Sequence, residues 1–371
     1  MSDTVVQHRR TLHRIPELDD QLPKTVAYVR SVLEPLGAKV FSPIPGSVCA
    51  YFDCGRQTTL ALRADMDALP IPECTGLPYC SEHQGNMHAC GHDGHTAIEL
   101  SVAQWVAREL AEGRDFPRNI LFVFQPAEET TGGAGRLCAT GVLNAHRVER
   151  LFGLHLWPGV PVGRVITRPG PMMARSNEVT LEVVGKSVHV SRAQEGLDAM
   201  RAATTWMERV YAYADGLPPE VLRVVQFGQL TAGTVRNAVA GQARLLGTLR
   251  TYETSVTLAM QARMRELAAE VATQTGCTLQ LHFSSGYPAV WNHEGLYESV
   301  REALGEDVVG RLDAPVLAAE DFSFYQEAVP AVFFFLGVGQ TEELHSPKFV
   351  WDDETVLPAG VEFVKRLTRL P

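Results

Sequence analysis

Apolar positions recur along this chain with two periods, and the change from one to the other organises it. Val29, Val32, Leu33 and Leu36 share one face at helical spacing, which predicts a helix over 25–36 that stops at Gly37. Residues 12–18 read as the end of an earlier helix, broken at Pro16, with His13 in a capping or packing role. Residues 59–63 form a short apolar strand that runs into Ala64, Asp65, Met66 and Asp67. Residues 119–124 are almost continuously apolar, the pattern of a central strand covered on both faces, and 151–156 make a further strand. Between the 59–63 and 119–124 strands, Ile98, Val102, Trp105 and Val106 predict a helix over 96–110.

From about Asn177 the character changes. Residues 177–184 alternate, 195–212 are helical, and strands follow over 221–230 and 242–251. A long helix carrying Met260, Met264, Leu267 and Val271 stops at Gly276, and a strand covers 278–283. This β-α-β-β-α-β order is that of a ferredoxin-like unit. Patterning of the first kind then resumes, with a helix capped by Asn292 and running to Leu304, a buried strand over 331–337 and a last helix from about Pro358 to Leu370. The expected fold class is therefore α/β: a mixed central sheet flanked by helices, built from 1–174 and 286–371, with an inserted ferredoxin-like α+β domain at 175–285.

The composition is that of an ordinary globular chain: 371 residues, 45% hydrophobic and 20% charged. Its net charge of -10 argues against nucleic acid or an acidic membrane surface as partner. No apolar run reaches membrane-spanning length, and residues 1–10 lack the apolar core of a signal peptide. Seven cysteines without regular spacing do not form a disulfide framework, so a reducing cytoplasm is the expected location.

The chemistry gathers at the ends of the predicted strands. Residues 87–95 (Met-His-Ala-Cys-Gly-His-Asp-Gly-His) pack a thiol, three imidazoles and a carboxylate into nine positions. Thiolate, imidazole and carboxylate are the groups that bind zinc and its neighbours. By itself this stretch reads equally as a buried cysteine beside a capping histidine, and the partners further along decide. Glu128 and Glu129 follow the central strand, and neighbours in an extended backbone point opposite ways, so one can bind metal while the other handles protons. His155 lies in the next strand, and His345 follows the 331–337 strand. The candidate ligands are thus Cys90, His92, Glu129, His155 and His345, with Glu128 as general base and Asp67 as a carboxylate orienting a ligand histidine. Five ligands exceed the four of a closed zinc site and point to a hydrolytic centre of two divalent ions, with zinc, manganese and cobalt all compatible.

At this point the chain resembles the metal-dependent amidohydrolases of the aminoacylase and carboxypeptidase superfamily. The branch is that of hippurate hydrolases, N-acetyldiaminopimelate deacetylases and indole-3-acetyl-amino-acid hydrolases. Residues 12–18, 62–70, 85–95, 124–129, 154–158, 319–325 and 344–347 look like that branch's motifs, in order. The resemblance implies a metallopeptidase-type catalytic domain and an insert that acts as lid and dimerisation domain, in a homodimer or homotetramer. It also implies that His189 stabilises the tetrahedral oxyanion, in its own or a partner's site, while Asn237 and Arg250 contact substrate. Two departures stand near the lid: Ser187-Val188 where the family has a glycine pair, and Ala193-Gln194 where it has Pro-His. Asp65 replaces a ligand histidine of the wider superfamily, as is normal in this branch. The expected activity is hydrolysis of N-acyl amino acids. The alternatives are a carboxypeptidase or dipeptidase on short peptides, and a non-catalytic metal-stabilised dimeric binding protein.

Overall fold

Four strands of near-unbroken apolar sequence can be buried only where helices cover both faces of a sheet, and that is where they lie. The computed structural model describes residues 2–371 and divides into two units. The first comprises Met1–Met172, Val290–Pro315 and Asp321–Pro371. Its strands begin with β1 (Lys39–Phe41), β2 (Val48–Phe52), β3 (Thr59–Asp65), β4 (Asn119–Gln125) and β5 (Val148–Trp157). The eight-stranded sheet runs β1, β2, β4, β3, β5, Ala331–Gly337, Val165–Thr167, Val309–Arg311. Its middle is parallel: β3 pairs with β4 and β5, and β5 with Ala331–Gly337. The carboxyl ends of these strands therefore open on one edge, where sheets of this kind carry their sites.

Helices α1 (Ser2–His13), α2 (Pro23–Leu33) and α3 (His92–Ala111) contribute to the covering layers. Several boundaries differ from the sequence expectation, each for a local reason. The helix over 25–36 ends at Leu33 and tightens into a 3-10 turn over Glu34–Leu36, because Pro35 has no N–H to continue the ladder. Helix α3 starts four residues early, at His92, so His92 and His95 stand on its first turn instead of in a loop. The last helix spans Asp353–Thr368: the Asp352 side chain accepts the N–H groups of Glu354 and Thr355, and Pro358 lies inside. Asn292 is not a cap. It is buried, donating to Thr167 Oγ1 and Arg168 O and accepting the Phe333 N–H, and His293 Nδ1 caps the helix Glu294–Leu304 instead.

The second unit comprises Met173–Ala289 and Val316–Glu320. Its antiparallel sheet has the order Thr278–Phe283, Arg175–Val184, Gln242–Thr251, Arg223–Ala232. With helices Ala199–Asp215 and Thr254–Thr275, this is the expected β-α-β-β-α-β arrangement. Trp206, fully buried, donates from Nε1 to Met264 O at 3.0 Å and so ties the two helices over the sheet. Among the described residues no helix is long and apolar enough to cross a membrane. All seven cysteines are free thiols.

Candidate metal centre

Helix α3 delivers the first donors. Gly91, at φ +84, turns the chain into the helix in a backbone conformation that glycine adopts without strain. His92 is fully buried, and its Nδ1 donates to the backbone carbonyl of Asp67 at 2.8 Å. Its Nε2 is buried without a hydrogen-bond partner. An orphaned imidazole nitrogen costs about 1–3 kcal/mol unless something accepts its lone pair. Cys90 Sγ, His92 and His155 form one cluster of donor atoms, each within 4.8 Å of the others. His155 Nδ1 donates to Leu156 O at 2.6 Å, which turns Nε2 toward the thiol, 3.4 Å away.

Cys90, Glu129 and His345 form a second cluster that shares the thiol with the first. Glu129 Oε1 lies 3.2 Å from His345 Nε2 and 3.8 Å from His92 Nε2, so one carboxylate oxygen faces both imidazoles. The His345 loop is held by its N–H to Ala89 O and by Pro347 O to the Cys74 N–H. His345 itself sits at φ +67, an uncommon backbone conformation for a residue with a side chain.

Glu128 and Glu129 are not in extended backbone. They lie in a turn after Ala127, which has φ +59. The cause is Asp67, whose carboxylate accepts the N–H of Glu128 at 3.1 Å and of Glu129 at 3.0 Å. Successive N–H groups of a strand point opposite ways, so only a turn can aim both at one carboxylate. Asp67 thus holds His92 through its backbone oxygen and the two glutamates through its side chain; its Oδ1 is 3.5 Å from His92 Nδ1.

Asp65 and His95, which carry no separate role in the sequence, are paired in the structure. His95 Nδ1 donates to Asp65 Oδ1 at 2.6 Å, and His95 Nε2 accepts the Leu156 N–H at 2.8 Å. Both ring nitrogens are occupied, so His95 supports the strand carrying His155 and is not free to bind an ion. The spacing His92-x-x-His95 was the available signal, since it places both rings on one helix face. Arg63, a lone cation inside the buried strand β3, was another: it donates to Asp65 Oδ2 at 2.7 Å. His13 belongs to none of the donor clusters; its Nδ1 lies 2.7 Å from Asp93 Oδ2, beside the buried Arg9.

Electrostatics mark the clusters as a cation site. Burial raises the Cys90 thiol well above its usual range, and Glu129, Glu128 and Asp65 push the same way. Burial opposes the charged form of His92, but Asp65, Asp67 and Glu129 override it and raise the ring to about 10. Burial holds His155 well below its ordinary value, leaving it neutral. A site that gathers carboxylates around a protonated ring and a thiol is one in which a divalent cation displaces protons. The donors fit two such ions, sharing Cys90.

Residues 61–370 match the family described as peptidase family M20/M25/M40. The chain belongs to that family. An uncharacterized hydrolase of Staphylococcus haemolyticus is 34% identical over 366 residues, 95% of this chain and 94% of its relative. The Bacillus subtilis YXEP protein, a dinuclear metal binding peptidase of the M20 family, superposes with a TM-score of 0.85 at 31% identity, covering 99% and 97% of the two chains. A solved Staphylococcus aureus protein reaches 0.90 at 28% identity, covering 100% and 97%. This M20 member is a metal-dependent hydrolase with a mixed central sheet, as its neighbours have.

The remaining site candidates lie in the second unit. His189 and Asn237 are exposed neighbours: Val190 N–H donates to Asn237 O at 3.0 Å, and His189 bridges to Ala238. His189 Nδ1 is 2.8 Å from Ser191 Oγ. Arg250 stands apart from this pair on its own strand and donates to Leu317 O at 2.9 Å.

Proposed function

We propose that this M20 hydrolase cleaves the amide of N-acyl amino acids, releasing a carboxylic acid and a free amino acid. The observation that carries the reading is the turn in which Asp67 fixes two consecutive glutamates, one facing the His92 and His345 imidazoles and the other beside it. Cys90, His92, Glu129, His155 and His345 would hold two divalent ions (zinc, manganese or cobalt), which supply Lewis acidity toward the scissile carbonyl and the attacking water. Glu128, buried beside that set, takes a proton from the attacking water and delivers it to the departing nitrogen. His189 stabilises the oxyanion of the tetrahedral intermediate, and Asn237 and Arg250 grip the substrate, the guanidinium suiting an amino-acid carboxylate. The second unit serves as lid and dimerisation domain, in a homodimer or homotetramer, and the free thiols support a cytoplasmic location.

A panel of N-acyl amino acids, with chelator and with each metal restored, tests this through released free amine. Glu128→Gln is expected to keep its metal and lose turnover by about 100-fold or more. Retained turnover with metal bound would show the base to be another group. The second reading, a dipeptidase or carboxypeptidase, is favoured by the peptidase description of the Bacillus relative. Faster release from a dipeptide than from the matching N-acetyl amino acid would select it.

A further inference from the structure

The motif over 319–325 takes no part in the scheme above, yet its aspartate reaches both ends of the loop on which that scheme depends. Asp321 is fully buried. Its two carboxylate oxygens accept the Gln125 side-chain amide at 2.8 Å each. Oδ2 also accepts the backbone N–H of Ala134 at 3.0 Å, and Oδ1 the Arg63 guanidinium at 2.9 Å. Gln125 is the last residue of β4, and Ala134 lies in the first turn of the helix Gly133–Ala139. Residues 126–133, which carry Glu128 and Glu129, run between these two attachments.

The loop has little room to adjust within that frame. Gly132 and Gly133 N–H both donate to Ala127 O, at 3.0 and 3.2 Å, and a Cβ on Gly133 would fall 1.8 Å from Pro126 O. Gln125 is locked from its other side as well, its Oε1 accepting Arg63 Nε at 2.9 Å and the Tyr325 hydroxyl at 3.0 Å. Arg63 then continues to Asp65, which holds His95. Asp67 grips the middle of the loop, and Asp321 its two ends.

We propose that Asp321 is a positioning residue: by closing the loop 126–133 from both sides, its carboxylate sets where Glu128 and Glu129 point. This rests on the roles proposed for those glutamates. Asp321→Asn tests it by replacing one acceptor oxygen with a donor where Gln125, Ala134 and Arg63 all donate. Ala134→Pro leaves the carboxylate in place and removes the N–H that reaches Asp321, within the first turn of the helix, where proline is best tolerated. Cobalt titration followed by visible absorption gives a readout independent of activity.

Both folded variants are expected to bind the second cobalt ion about tenfold or more weakly. Their kcat should fall by about 100-fold with KM little changed, as for a misplaced catalytic group. A purely structural role would lower the melting temperature and leave the cobalt isotherm and the kcat of folded protein where they were. Unchanged isotherms overturn the assignment, and if Asp321→Asn does not fold, Ala134→Pro decides by itself. Glu128→Gln run alongside separates the two readings: full turnover in that variant removes the proposed base, while the role of Asp321 still stands or falls on the cobalt isotherm.

Discussion

Cys90 Sγ lies 3.4 Å from His155 Nε2, and the same sulfur belongs to two donor groups, one with His92 and His155 and one with Glu129 and His345. If both ions share this thiolate, its loss reaches both of them. Cys90→Ser is expected to drop bound zinc from two ions per chain to one or none and to lower turnover by about 100-fold. Elemental analysis of the dialysed variant checks the first, amine release the second. Two tightly held ions in this variant would remove Cys90 from the ligand set.

The protons held by the metal-free centre predict a pH dependence with a definite sign. His92 is raised to about 10 and Cys90 above its ordinary range, against roughly 6.5 and 8.5 in an unfolded chain. Between those values the folded, metal-free protein holds protons that the unfolded chain has released. Its stability therefore falls as pH rises from about 6.5 to 10. His155 and His95 are lowered, chiefly by burial, so below about 6.5 the unfolded chain binds protons that the folded one does not, and they oppose stability there. Metal binding must expel the His92 and Cys90 protons, so affinity rises with pH across the same upper window. Thermal melts with and without chelator should show a gap that widens from about pH 6.5 to 9. A gap that stays constant or narrows would contradict the assignment.

His95 separates support from ligation. Its two nitrogens are spent on Asp65 and on the Leu156 N–H, so His95→Gln should leave metal stoichiometry at the wild-type value. Leaving a buried N–H or carboxylate without its partner costs about 1–3 kcal/mol, and urea melts should show a loss of that order. Loss of an ion at saturating metal would mean that His95 binds one directly.

Much of this architecture was legible along the chain because each element carried its own local signal. Unbroken apolar runs marked the central strands, and alternation with two helical periods marked the α+β unit; both depend only on near neighbours in sequence. The cluster over 87–95 and the glutamate pair announced a metal centre by residue type. The helix starts at His92 and Asp353 were missed because glycine conformation and side-chain caps, not apolar spacing, set where those helices begin.

What sequence by itself determined was the inventory: an α/β chain with a ferredoxin-like unit and a set of soft and acidic donors after successive strands. Tertiary structure decided which of these groups are free to act. His92, His95 and His155 look alike along the chain, yet only the fold shows His95 with both nitrogens occupied and His92 Nε2 with none of its own. Asp67 receives its backbone donors from residues 61 and 62 positions away, and Asp321 its donors from residues 187 to 258 positions away. Such partners carry no local pattern. A hydrogen bond specifies distance and angle in space, and separation along the chain encodes neither.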